Sequence, residues 1–221
     1  MPSITRVSRN QRQDKRQQVE QALIRATETL LDSGCSYTEL SVEQLAQQAG
    51  IARSTFYLHF ADKSDLVRRL VTRVTEEFVA ACGRWWGVAD TASWDDLVAG
   101  LDAVLQVYNR HRAVVTALQE TAAYDATIGA VFEEMLDSVL RQSRQAHDRI
   151  KASGKLREGV TRDVATALTL MVERSCFQLG RGAAPARRRQ IAEAMALIVW
   201  NAMYAEPPAR TAVPRKARKR A

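Results

Sequence analysis

The sequence has few cysteines, few prolines and no long hydrophobic run. Its 3 cysteines are scattered and odd in number, which excludes a disulfide framework and favours a cytoplasmic location. Its 3 histidines lie far apart, so no metal site is expected. We expect no other cofactor either. There is no apolar run of about 18 residues and no N-terminal signal segment, so we expect neither a membrane span nor export.

The placement of proline predicts the fold class. No proline occurs between Pro2 and Pro185, and β-branched residues never alternate strictly over a strand-length run. Because proline breaks helix interiors, long proline-free stretches of helix formers indicate an all-α chain. Apolar periodicity and glycine breaks predict about nine helices, at 15–33, 42–48, 52–58, 63–83, 94–109, 111–122, 125–152, 161–180 and 187–204.

Positive charge is concentrated at the two ends of the chain. The net charge is +7, with +4 in residues 1–16 and +5 in residues 205–221, so the remainder carries −2. Basic tails favour a polyanion because they neutralise phosphates and release counterions. Solubilising tails without a partner are the alternative.

Residues 41–60 have the pattern of a helix-turn-helix. Ser41 and Gln44 form a capping-box pair ahead of a short helix, and Gly50 suits a tight turn. The next helix is expected to bury Phe56 and Phe60. Its other side presents mostly short polar side chains near its N-terminal end, which suits entry into a major groove. This outward set is Arg53, Ser54, Thr55, Tyr57, Leu58 and His59.

This stretch closely resembles the TetR family of bacterial regulators. The matching residues are Leu45-Ala46, Ala49-Gly50, Ser54-Thr55-Phe56-Tyr57, His59-Phe60 and Lys63. The resemblance implies that Arg53, Ser54 and Thr55 read bases. It also implies that Ser41, Tyr57, His59 and Lys63 hold phosphates. As alternatives, Tyr57 and His59 are packing or capping residues and Arg53 is a solvated charge.

The C-terminal half resembles the branch of that family which contains the mycobacterial repressor of ethionamide activation. The matches are His111-Arg112-Ala113-Val114, Ala165-Thr166-Ala167-Leu168, Leu170-Met171, Glu173-Arg174, Phe177, Tyr204 and Glu206. Thr169 and Val172 depart from the polar residues of that repressor's pocket. The resemblance implies a pocket for a small hydrophobic effector, with ordinary core packing as the alternative. The candidate lining residues are Trp94, Leu97, Leu101, Val104, Tyr108, Phe132, Leu136, Met171, Phe177 and Trp200.

Helices 161–180 and 187–204 are the candidates for a homodimer interface. One face of each helix is apolar: Val164, Leu168, Met171 and Ser175 on the first, and Ile191, Met195, Ile198 and Ala202 on the second. Paired with a two-fold mate, the helices would form a four-helix bundle. The alternative is that these faces pack only within one chain.

The sequence therefore predicts four segments. These are a basic arm at 1–14, a helix-turn-helix DNA-binding domain at 15–62, a ligand-binding and dimerisation domain at 63–205, and a basic disordered tail at 206–221. The predicted function is a transcriptional regulator, most often a repressor in this family, that leaves its operator DNA when a small apolar ligand binds. An enzyme is not expected, because the chain has no Gly-rich phosphate loop, nucleophile elbow or Glu-x-x-His metal pair. A non-specific DNA-binding architectural protein that uses its basic tails is the alternative.

Overall fold

A computed structural model describes residues 9–123 and 125–208, with side chains from residue 14 onward. This part of the chain confirms the all-α prediction and contains nine helices. They are α1 Arg9–Asp32, α2 Val42–Gln48, α3 Arg53–His59, α4 Lys63–Trp86, α5 Trp94–Arg110, α6 Arg112–Ala122, α7 Ala126–Ala152, α8 Arg162–Leu179 and α9 Pro185–Met203. None of the nine is long and apolar enough to cross a bilayer.

Three helix boundaries differ from the sequence prediction by two or more residues. Helix α1 begins at Arg9, six residues early, so part of the predicted arm is helical; residues 1–8 and the tail from residue 209 lie outside the described residues. Helix α4 continues through Gly83 to Trp86, because one glycine costs a helix only about 1 kcal/mol. Helix α9 begins at Pro185, since the fixed φ of proline suits a first helical position.

The chain divides into two compact units, each of which is discontinuous in sequence. Unit 1 comprises residues 1–77 and 110–138. In it α1 packs against α2, α3 and α6, and α2 packs against α3. Its fully buried side chains include Leu23, Leu45, Phe56, Phe60 and Leu66. Unit 1 therefore combines the N-terminal helices with α6 and the first part of α7.

Unit 2 comprises residues 78–109 and 139–221. Its core contains Leu97, Leu105, Ile150 and Met203, and α8 packs against α9. The division into functional domains at 15–62 and 63–205 stays a prediction.

The outer faces of α8 and α9 differ from the predicted dimer faces. Ile191 and Met195 are buried within unit 2, each only 3% exposed. The prediction for α9 is wrong at these two positions, because its apolar periodicity serves the core of its own chain. Ile198, which was predicted for the same face, does lie on the exposed side at 50% exposure, together with Leu197 at 41%. On α8 the exposed large apolar residues are Leu170 and Leu179.

Candidate functional site

A capped α2 and a tight turn set the position of α3. The Ser41 hydroxyl accepts a hydrogen bond from the Gln44 amide at 3.2 Å, and the Gln44 side chain accepts one from the Ser41 amide at 2.8 Å. This capping box confirms the sequence prediction. After α2, Gly50 has a φ of 69°, a left-handed conformation that favours glycine. The turn then closes through a 3.0 Å bond from the Ile51 amide to the Ala46 carbonyl.

Two phenylalanines hold the inner side of α3. Phe56 and Phe60 are 0% and 1% exposed, and their ring centroids are 5.5 Å apart. The Arg69 guanidinium lies 5.2 Å from the Phe60 ring centroid, and its Nη1 donates to Glu20 at 3.0 Å. Helix α3 is thus anchored to α4 and α1, so its outward residues lie on a fixed support.

The outward face of α3 is open to solvent. Arg53, Ser54, Tyr57 and Leu58 are exposed, and Thr55 is half-buried. Leu58 is 79% exposed, the largest exposed fraction among the exposed large apolar residues. Four of the predicted outward residues therefore form one accessible surface, which we call the α3 face: Arg53, Ser54, Tyr57 and Leu58.

The Arg53 side chain is oriented by two neighbours. Its Nη1 lies 2.7 Å from Oε1 of Glu43 on α2, and its Cζ lies 5.8 Å from the Tyr57 ring centroid. A hydrogen bond with Tyr57 and the charge of Glu43 raise the pKa of the Arg53 guanidinium. Arg53 is thus a paired cation, although its side chain remains 60% exposed.

Ser41 and His59 lie at the edges of the helix-turn-helix. Ser41 is half-buried, and its hydroxyl proton is still available because the capping box uses the oxygen as an acceptor. The His59 side chain is 11% exposed. Its Nδ1 has no hydrogen-bond partner among the described residues and lies 4.0 Å from Glu20. Packing against α1 therefore holds much of the His59 ring.

Lys63 lies at the first position of α4 with its ammonium group directed inward. Its Nζ donates to the carbonyls of Tyr37, Thr38 and Leu40 at 2.9, 3.2 and 3.0 Å. The Tyr37 ring centroid is 4.6 Å away, and burial lowers the pKa of Lys63. An ammonium group has three protons, and all three are used here. This arrangement differs from the phosphate contact that the family resemblance implies.

Lys63→Met is expected to lower the free energy of unfolding by about 2 kcal/mol, because charged donors would be lost to three carbonyls. Chemical denaturation at fixed protein concentration measures this change. Lys151→Met, at an exposed position near the end of α7, serves as the control and should leave stability unchanged. Unchanged stability in Lys63→Met, together with weaker DNA binding and a reduced salt dependence, would instead favour the phosphate contact.

The predicted effector residues fall into both units. Phe132 and Leu136 belong to unit 1, where both are half-buried. The other eight belong to unit 2. Leu97, Leu101 and Val104 are buried there, and Met171 is half-buried.

The aromatic candidates of unit 2 form two groups. Trp94 and Trp200 have ring centroids 6.2 Å apart, and Trp200 stacks on Tyr204 at 4.3 Å. The Tyr204 hydroxyl donates to the Ala89 carbonyl at 2.6 Å and accepts from Trp85 Nε1 at 3.2 Å. These contacts tie the end of α9 to the end of α4 within unit 2.

The second aromatic group surrounds Tyr108. The Tyr108 ring lies 5.7 Å from Phe78 and 6.3 Å from Phe177, between centroids. Its hydroxyl donates to Glu173 at 3.2 Å. Burial, and then the Glu173 carboxylate, raise the pKa of Tyr108, so the phenol stays protonated. This group combines apolar rings with the Tyr108–Glu173 pair and with the Arg174 guanidinium, whose Cζ lies 5.2 Å from the Phe177 ring centroid. Small-molecule sites likewise combine apolar surface with a few polar groups.

A buried histidine forms a further cluster in unit 1. His111 is 3% exposed, with its Nδ1 2.9 Å from Glu28 on α1 and its Nε2 2.9 Å from Glu77 on α4. Arg110 also contacts Glu77, at 2.8 Å. Carboxylates only accept, so both ring nitrogens can donate when the ring is protonated. Burial lowers the pKa of His111, but the hydrogen bonds to Glu28 and Glu77 outweigh it and raise the pKa.

Sequence reasoning missed Glu43, Glu20, Glu28 and Glu77 as partners of functional or buried groups. Their partners lie on other helices, between 10 and 83 residues away along the chain. No spacing pattern encodes such pairs. Within residues 9–123 and 125–208, no group of three His, Cys, Asp or Glu residues is placed to hold a metal ion.

Comparisons with known proteins cover both units. Residues 24–70 match the family "Bacterial regulatory proteins, tetR family", and residues 97–205 match "Transcriptional regulator EthR, C-terminal domain". The HTH-type transcriptional regulator EthR of Mycobacterium tuberculosis is 27% identical over 168 residues, which are 75% of this chain and 77% of EthR.

Two solved structures share the fold. GusR of Salmonella enterica has a TM-score of 0.67 at 11% identity and covers 90% of this chain and 99% of its own. NalD, described as the secondary repressor of the MexAB-OprM multidrug efflux pump in Pseudomonas aeruginosa, has a TM-score of 0.65 at 18% identity, with coverages of 86% and 99%.

Proposed function

Since this chain belongs to the TetR family of DNA-binding transcriptional regulators, with a C-terminal half of the EthR type, we propose that it is a repressor. In this proposal a homodimer binds operator DNA and leaves it when a small apolar ligand binds to unit 2. The α3 face carries the proposal, because it presents exposed polar side chains on a helix whose inner side is fixed by Phe56 and Phe60.

We assign each proposed DNA-binding residue a role from the exposure and orientation of its side chain. Arg53 and Ser54 read base edges, and half-buried Thr55 contributes where its hydroxyl is accessible. Ser41 and Tyr57 hold phosphates through their hydroxyl protons, and His59 does so through the ring edge not turned toward Glu20. For Lys63 we propose a structural role in place of the phosphate contact that the resemblance implies. Lys63 fixes the turn before α2 and thereby the position of the phosphate-binding Ser41.

Fluorescence anisotropy with DNA from upstream of the gene tests the proposal. Binding should be sequence-selective and should weaken as salt rises. A scrambled duplex of equal length is the control. Equal affinity for both duplexes would contradict the repressor and favour the architectural alternative, in which binding rests on the basic tails.

Tyr57→Phe is expected to weaken binding to operator and scrambled DNA by a similar factor, about fivefold, because a phosphate contact carries no sequence information. The variant keeps the aromatic ring beside Arg53. Parallel anisotropy titrations of the two duplexes measure the change. A loss confined to the operator would contradict the phosphate contact and show that the hydroxyl acts on a base, either directly or through its hydrogen bond with Arg53.

The effector is proposed to bind near the aromatic groups of unit 2. Trp94, Tyr108 and Phe177 supply apolar surface there, and the Tyr108–Glu173 pair supplies one polar anchor. A ligand can shift the DNA-binding equilibrium only by its differential affinity for the bound and released states. Candidate apolar compounds that quench tryptophan fluorescence should therefore also release preformed protein–DNA complexes, and quenching without release would contradict the effector role.

The exposed faces of α8 and α9 are proposed as the dimer interface. Leu170, Leu179, Leu197 and Ile198 are large apolar residues exposed on these two helices. Two recognition helices of a dimer would then reach successive major grooves about 34–36 Å or a multiple apart.

A further inference from the structure

The contact between Glu43 and Arg53 has a consequence for DNA discrimination. The two side chains are 57% and 60% exposed, so their ion pair contributes little to folding stability. It nevertheless joins α2 to the N-terminal residue of α3, at the centre of the surface that the proposed function places on DNA. Removal of the pair should therefore change DNA binding without a large change in folding stability.

Two features of α3 explain why Arg53 needs this partner. Arg53 is the first residue of α3, and a cation at a helix N-terminus is opposed by the macrodipole. Ala52, the N-cap residue, provides no side-chain hydrogen bond. The Glu43 carboxylate supplies the missing negative charge from α2, and the Tyr57 ring centroid lies 5.8 Å from the Arg53 Cζ. Together they restrict where the remaining N–H groups point.

We propose that Glu43 is a specificity-determining residue that holds Arg53 for a base edge and withholds it from phosphate. Guanine is the base whose N7 and O6 match a guanidinium, so the operator should contain a guanine opposite Arg53. A free arginine on this face would bind any phosphate, because the phosphate backbone is available at every sequence. Glu43 both occupies part of the guanidinium and repels nearby phosphates.

The inference rests on the proposed function, and it predicts an unusual phenotype. Glu43→Gln should raise affinity for scrambled DNA about threefold to fivefold, because a charge repulsion is removed and Arg53 gains a phosphate. The same variant should bind the operator no better than the unsubstituted protein, so discrimination falls. The slope of log affinity against log salt on scrambled DNA should steepen by about 0.9, the value for one added phosphate contact.

Matched variants separate this role from general electrostatics. Glu39→Gln removes the same charge from an exposed position just before α2, where Glu39 has no ion pair among the described residues. It should leave discrimination unchanged. In an Arg53→Gln background, Glu43→Gln should no longer alter discrimination, because the residue it positions is absent. Thermal melts confirm that each variant is folded.

Anisotropy titrations of operator and scrambled duplexes at four salt concentrations decide the outcome. Lower discrimination in Glu43→Gln alone, lost in the Arg53→Gln background, supports the proposal. Discrimination equal to that of the unsubstituted protein would overturn it while leaving the repressor intact. Absence of discrimination in the unsubstituted protein would overturn the proposed function and this inference with it.

Discussion

His111→Ala is expected to lower the free energy of unfolding by about 3–5 kcal/mol, the usual cost of breaking a buried ion pair. The variant leaves the carboxylates of Glu28 and Glu77 facing a cavity without their shared cation. Among the residues that the structure describes, Arg110 and Arg73 remain as cations beside Glu77, at 2.8 and 3.6 Å. Urea denaturation at fixed protein concentration measures the loss.

The stability that His111 contributes to unit 1 should depend on pH. Burial alone would lower the pKa of His111, but hydrogen bonds to Glu28 and Glu77 outweigh it and raise the pKa above 6.5. A raised pKa in the folded state gives stability that is fully present below the unfolded pKa, about 6.5, and that is lost as pH rises through the folded value. The stability difference between the parent chain and His111→Ala should therefore shrink above neutral pH.

Arg110→Gln is the matched control for His111→Ala. It also removes a cation from Glu77, but the Arg110 side chain is 63% exposed. Exposed pairs are worth about 1 kcal/mol or less. A stability loss in His111→Ala as small as that in Arg110→Gln, or one that grows with pH, would show that His111 is not the buried cation of unit 1.

Ile198→Asp is expected to convert the proposed homodimer into a monomer. A carboxylate in a two-fold interface is buried next to its copy, and the desolvation cost of several kcal/mol per ion has no compensating partner. Operator affinity should fall about 100-fold or more, because a monomer loses the effective concentration that links two half-sites. Sedimentation equilibrium and anisotropy measure the two effects.

Val88→Asp provides the comparison for Ile198→Asp. Val88 is 41% exposed in unit 2, but it lies in the turn after α4 and not on α8 or α9. It should leave the oligomeric state unchanged. A monomeric parent protein would contradict the proposed homodimer, and an Ile198→Asp dimer as tight as the parent would place the interface elsewhere.

Local patterns predicted the helices well. The Ser41–Gln44 capping box, the left-handed Gly50 and the burial of Phe56 and Phe60 all follow from interactions within a few residues. Periodicity identifies an apolar face in the same way. It does not state which partner covers that face, which is why Ile191 and Met195 were assigned to a dimer interface and lie in the core.

Contacts between a side chain and a partner on a separate element could not be predicted from the sequence. The use of Lys63 depends on where the carbonyls of the α1–α2 turn point, and the pairing of Arg53 depends on the crossing of α2 and α3. Both are tertiary distances that no fixed spacing encodes. The family resemblance supplied the positions of these residues but not the orientation of their side chains.

The two stretches of chain that form unit 1 limit how chimeric regulators of this kind can be built. Because α6 packs against α1, and unit 1 also includes the start of α7, this compact body is assembled from two separate stretches of chain. A fragment that ends at residue 62 or 77 would expose the surface of α1 that α6 covers. An exchange of DNA specificity between relatives therefore requires either the transplant of both stretches or substitutions confined to the solvent side of α2 and α3.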